Sequence, residues 1–154
     1  MAADAVLDGD AVVRALQAAY AHDAGRTGLL ELTARRLREA GTPYTGVYLY
    51  MVHGGDLVLE AFDGRATDHA RIPIGTGICG RAVAERRDLN VPDVALAHEY
   101  LACSVETKSE LVVLIRRHDE ILGQIDVDSD QLDPFTPAEE AEVRKVADAL
   151  AALL

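Results

Sequence analysis

The sequence predicts an α+β domain in which an antiparallel sheet is flanked by N- and C-terminal helices. Apolar residues recur at helical spacing near the start of the chain and again over residues 137–154. Between these segments lie strand-like runs joined in pairs by short polar turns. A hairpin-rich middle between terminal helices implies helices packed on an antiparallel sheet.

Each element has its own signal. Asp10 is placed as the cap of a first helix, with Val13, Leu16 and Tyr20 on its inner face. Residues 25–28 break that pattern, and a second helix follows over 29–40. Its Leu30, Leu37 and Ala40 point inward and its arginines outward. Gly41 stops it and Pro43 prevents continuation. Strands at 47–52 and 57–62 flank the turn His53-Gly54-Gly55-Asp56. A polar turn at 63–68 leads to a short strand at 70–74, a helix at 78–86 and a brief extended piece at 91–94. A second hairpin joins 111–116 to 121–128 around His118-Asp119-Glu120. The last helix opens with Thr136 as N-cap and Pro137 in its first position. Glu139, Glu140 and Glu142 follow near its positive end. Val143, Val146, Ala147, Leu150 and Leu154 form its apolar stripe.

No repeat, linker or low-complexity run divides the chain, so residues 1–154 read as a single domain. Apolar residues make up 49% of it, enough for a real core and too many for disorder. The net charge of −11, with no basic face, argues against nucleic acid as a partner. The first ten residues carry acids where a signal peptide needs basic residues, and no run approaches membrane-spanning length. Two cysteines do not make a disulfide scaffold. The expected location is therefore cytoplasmic, with reduced thiols and no membrane contact. Surplus apolar surface on the terminal helices suits a homodimer.

The chemistry concentrates in two stretches, I-G-T-G-I-C-G (74–80) and Y-L-A-C-S-V-E-T-K-S-E-L (100–111), followed by Q-I-D-V-D (124–128). Gly75, Gly77 and Gly80 suit a sharp turn or a close backbone approach. Such a turn puts Cys79 near the first turn of a helix, where backbone N–H groups favour a thiolate; an inert buried thiol is the alternative. In a strand, Gln124, Asp126 and Asp128 share one face while Ile125 and Val127 enter the core. A solvated outer face explains these acids most simply. If Glu110 converges on them, the cluster can instead grip an ammonium group or hold one acid protonated at neutral pH. No Asp, His or Cys pair has the short spacing of a zinc site, so neither a metal nor another cofactor is expected.

Over residues 44–128 the chain resembles the free methionine-(R)-sulfoxide reductases, which are built on a GAF domain. The motifs are Y-T-G-V-Y-L (44–49), L-V-L-E-A-F-D-G (57–64), R-I-P-I-G-T-G-I-C-G (71–80) and V-P-D-V (91–94). L-A-C (101–103), K-S-E-L-V-V (108–113) and G-Q-I-D-V-D-S (123–129) continue them in order. The resemblance implies a GAF-like fold and a catalytic role for Cys103, whose thiolate attacks the sulfoxide sulfur and becomes a sulfenic acid. It further implies that Glu110 and Asp128 assist at the sulfoxide oxygen. By the same resemblance Asp126 is expected to help hold the substrate amino group, and Tyr44 and Tyr48 to line the substrate pocket. Thioredoxin or another thiol would then supply electrons.

The chain also departs from the family pattern. A third cysteine, expected ten residues before the G-I-C-G cysteine, is replaced by His69. Ser104 stands where an aspartate usually follows the catalytic cysteine, and Glu99-Tyr100-Leu101 replaces the preceding G-H-I. Cys79 is then the one internal thiol able to resolve an oxidised Cys103. Two other readings compete with the enzyme: a non-catalytic GAF module that binds a small ligand or senses redox state, and a structural dimerisation domain. A sensor is expected to pass its signal to an attached effector, and none is read in this sequence, which favours the enzyme.

Overall fold

The computed structural model describes residues 5–97 and 106–154. Its six strands are β1 (Gly46–His53), β2 (Asp56–Asp63), β3 (Arg71–Pro73), β4 (Leu89–Val91), β5 (Ser109–Arg117) and β6 (Glu120–Ser129). They form one antiparallel sheet in the order β3-β2-β1-β6-β5-β4. Helices α1 (Gly9–Ala21), α2 (Arg26–Arg38) and α4 (Pro137–Leu153) lie on one face, and α3 (Gly77–Glu85) lies on the other. The α+β architecture predicted from the sequence is the one observed.

Strand alternation sorts the side chains into two cores. Val47, Leu49 and Met51 of β1, Leu111, Val113 and Ile115 of β5, and Ile125 and Val127 of β6 meet the three helices. Tyr48, Tyr50, Val112 and Leu114 point the opposite way, toward Ile78, Ala82 and Val83 of α3. Because both faces are covered, β5 reads as a continuous apolar run rather than an alternating one.

Several boundaries differ from expectation. The cap of α1 is Asp8, whose Oδ1 accepts from Ala11 N at 3.1 Å, and not Asp10. Val12 and Leu16 form the inner face of α1, while Tyr20 is 53% exposed. Leu16 is inward as expected, and Val12 replaces Val13 beside it where α1 packs on α4 and α2. Helix α2 starts at Arg26 and runs through Gly28, since Leu29, Leu30, Ala34 and Leu37 supply enough burial to override one glycine. The piece expected at 91–94 divides into β4 and a single 3-10 turn, Val94–Leu96, capped by Asp93.

The cap of α4 is as predicted, Thr136 Oγ1 accepting from Glu139 N at 3.1 Å. Glu139 has a second use. Its buried carboxylate accepts from Val6 N (2.7 Å), Leu7 N (2.9 Å) and the Tyr44 hydroxyl (2.7 Å). That bond set ties the N-terminal segment and the entry to β1 onto α4. Among the described residues, no helix is long and apolar enough to cross a membrane.

Candidate active site

The site is built on the α3 side of the sheet. Alternation along β6 puts Asp126 and Asp128 on this face. Register then sets Glu110 of β5 opposite Asp128, with Val112 of β5 and Tyr48 of β1 flanking Asp126. The three carboxyl residues are 4%, 1% and 3% exposed for Glu110, Asp126 and Asp128 respectively. The solvated outer face that alternation alone suggests is thereby overturned, because α3 and the loop before it cover the acids.

The glycine-rich turn sets where α3 begins. Gly75 and Gly77 take φ values of 98° and 67°, which β-carbons disfavour. A Cβ on Gly80 would stand 2.6 Å from the Pro73 carbonyl oxygen, and Gly75 N donates to Gly80 O at 2.9 Å. Cys79 is thus fixed in the first turn of α3. Gln124 Nε2 donates to its carbonyl at 3.0 Å and anchors that turn to β6.

The Cys79 thiol donates to Glu110 Oε1 at 3.5 Å. The expectation of a thiolate here is corrected. Burial first, and then the nearby carboxyl groups of Asp126, Glu110 and Asp128, push its pKa well above the ordinary 9.0. A helix N-terminus contributes only about 0.3–1 kcal/mol at typical exposure, too little to offset desolvation beside three acids.

The acids also act on one another. Burial and the fields of Asp126 and Asp128 push Glu110 well above 4.5, and burial raises Asp126 from 3.8. Two carboxyls this close and this dry titrate as a pair and retain a proton between them, with Glu110 its principal holder. Neither Asp126 oxygen has a donor in good hydrogen-bond geometry among the described residues. Glu110 and Cys79 are nonetheless close enough to share their protons with it. These groups, with Tyr50, His69 and Ile78, line a cavity of about 10 Å³, room for roughly one water.

The remaining expected residues divide. Tyr48 is on the α3 face of the sheet but is not among the residues lining the cavity. It stacks on Phe62 with centroids 5.9 Å apart, and its hydroxyl donates to the Arg65 carbonyl at 2.6 Å. Tyr44 is not at the cavity. It is buried in the three-helix core, edge-on to Phe135 at 5.8 Å and bonded to Glu139, so its expected place in the substrate pocket is corrected. The acidic partner on α4 draws its hydroxyl away from the sheet's other face. Cys103 lies outside the described residues, as do Glu99, Tyr100, Leu101 and Ser104.

Sequence reasoning passed over Tyr50, and it put Gln124 on the face of the acids without giving it a role. The ring at the cavity is Tyr50, whose hydroxyl donates to the His69 carbonyl at 2.7 Å. Its signal was present, since Tyr48 and Tyr50 are two apart in one strand and must share a face.

The sequence model of the GAF domain family matches residues 26–154. The chain belongs to the GAF domain family. It is 32% identical over 126 residues to the free methionine-R-sulfoxide reductase of Escherichia coli strain K12, covering 80% of this chain and 76% of that protein. The type II free methionine-R-sulfoxide reductase from Thermoplasma acidophilum is similar in structure, with a TM-score of 0.80 at 38% identity over 83% of this chain and 91% of that one. The free methionine-R-sulfoxide reductase from Neisseria meningitidis, solved in complex with its substrate, has a TM-score of 0.87 at 29% identity. That match covers 99% of this chain and 92% of the other.

Proposed function

We propose that this GAF-domain chain is an oxidoreductase that converts free methionine (R)-sulfoxide to methionine. The observation that carries the reading is the burial of Glu110, Asp126 and Asp128 on one face of β5 and β6, with Glu110 and Asp126 lining a cavity. Acids held dry together, with a proton retained among them, suit a reaction that needs both a proton donor and an anionic grip on an ammonium group. The named relatives supply the substrate class.

In this mechanism the Cys103 thiolate attacks the sulfoxide sulfur while Glu110 protonates the departing oxygen. The substrate sulfur gains two electrons and leaves as the thioether. The oxygen passes to the cysteine sulfur, which becomes a sulfenic acid. Glu110, left as carboxylate, regains its proton from water. Asp126 and Asp128 hold the substrate ammonium, and Asp128 also faces the oxygen through its pairing with Glu110. Two external thiols, or thioredoxin, then reduce the sulfenic acid to thiol and water. A buried, protonated Cys79 is a poor resolving nucleophile, which favours the external route. An amino acid needs more room than the cavity of about 10 Å³ offers, so binding must separate its lining side chains.

The decisive assay incubates reduced protein with separated R and S epimers of free methionine sulfoxide and measures the methionine released. Release from the R epimer alone, abolished by Cys103→Ser, is the expected outcome. No methionine in a single turnover would leave a ligand-binding GAF module without catalysis.

A further inference from the structure

We propose that Cys79, Glu110 and Asp126 form a zinc-binding site, with their side chains supplying one sulfur and two oxygen ligands to a single Zn2+. Cys79 Sγ and one carboxylate oxygen from each acid all lie within 4.8 Å of one another. Tetrahedral zinc holds sulfur at about 2.3 Å and carboxylate oxygen at about 2.0 Å, which sets a sulfur–oxygen edge of about 3.5 Å. The observed Cys79 Sγ to Glu110 Oε1 distance is 3.5 Å, so these two ligands already stand at the separation a shared ion requires.

Asp126 is the independent pointer. It is 1% exposed and lines the cavity, and both of its oxygens lack a hydrogen-bond donor in good geometry. Buried carboxylates with no well-aligned donor are rare and costly, and a cation between Asp126, Glu110 and Cys79 would satisfy all three residues.

Ligand chemistry selects the metal. A thiolate with two carboxylates suits borderline zinc better than calcium or magnesium, which take oxygen alone. The three ligands come from α3, β5 and β6, elements already fixed by packing, so binding needs little rearrangement. With three protein ligands, a fourth would be water or a small ligand, as in catalytic rather than structural zinc sites. Zinc enters as the thiol proton and the carboxyl proton leave to solvent, so the net charge of the site does not change. The short sequence spacing expected of zinc ligands is absent because the sheet, not a local loop, gathers them.

Zinc and the sulfoxide would compete for Glu110 and Asp126 in the same cavity, since a zinc-bound Glu110 has no proton to donate. The site is therefore tested by metal binding and not by turnover. Metal-free full-length protein is titrated with Co2+ as a spectroscopic probe, followed by Zn2+. The expected result is one equivalent per chain, with a thiolate-to-cobalt absorption band that Zn2+ removes. Cys79→Ser should abolish the band and Cys103→Ser should retain it. Glu110→Gln and Asp126→Asn should each weaken binding by about tenfold or more. X-ray absorption at the zinc edge of the wild type, which needs no variant, should count one sulfur ligand. Absence of the band, its survival in Cys79→Ser, its loss in Cys103→Ser, or a count of zero or two sulfurs would each overturn the proposal.

Discussion

Cys79 and Glu110, 31 positions apart in the chain, meet at 3.5 Å from Sγ to Oε1 in a buried setting. The contact joins α3 to β5 and places a thiol against an acid that retains its proton. Most of the expected behaviour of the site follows from it.

Glu110→Gln should keep the fold and remove the proton donor. Loss of one positioned acid is typically worth about 10²–10⁴ in rate. Single-turnover methionine release by wild type and variant measures it, alongside their thermal unfolding. A loss of tenfold or less in a variant that unfolds like wild type would return Glu110 to a purely structural role.

The pH dependence of stability has a definite sign. Glu110 has a folded value above its ordinary 4.5, so between the two the folded chain keeps a proton that the unfolded chain has released. This contribution is fully present below about 4.5 and is lost as pH rises through the folded value, with a slope of up to about 1.4 kcal/mol per pH unit. Urea denaturation in EDTA, from about pH 5 to pH 8, should show wild-type stability falling and Glu110→Gln flatter. Parallel curves would contradict the proton-holding pair.

Cys79 should be a slow nucleophile while the protein is folded. In a Cys103→Ser background at about pH 8, iodoacetamide should label it at least about tenfold more slowly in the native state than in urea. Equal rates would revive the helix-start thiolate.

Tyr44→Phe separates the two cores. It removes the hydroxyl from the buried Glu139 carboxylate and should cost about 1–3 kcal/mol. That corresponds to a fall in Tm of about 2–12 °C at this chain length. The kcat/KM for sulfoxide should change by less than about twofold, because Tyr44 lies across the sheet from the cavity. A large rise in KM without destabilisation would place Tyr44 at the substrate after all.

Gly80→Ala should be far more damaging than its size suggests. The added Cβ meets Pro73 O at 2.6 Å and Gly75 N at 2.9 Å, both backbone atoms that cannot turn aside. A cost of about 1–3 kcal/mol is expected, with altered Cys79 labelling as the start of α3 shifts. Wild-type stability and labelling would show that the turn has slack.

The amino-acid sequence by itself determined the elements and the fold class. Paired strand runs, the His53–Asp56 turn, the Thr136–Pro137 helix start and the stripe from Val143 to Leu150 are local patterns, and local physics sufficed to read them. It also determined that Asp126 and Asp128 share a face, since a period of two is a property of one strand. What covers that face belongs to the tertiary structure. Burial of the acids depends on α3 folding back over β5 and β6, and only that burial turns solvated carboxylates into a proton-holding pair and Cys79 into a neutral thiol. The placing of Tyr44 was likewise decided by a partner, Glu139, 95 residues away. Desolvation and long-range contact set the chemistry of this site, and neither is a property of any segment alone.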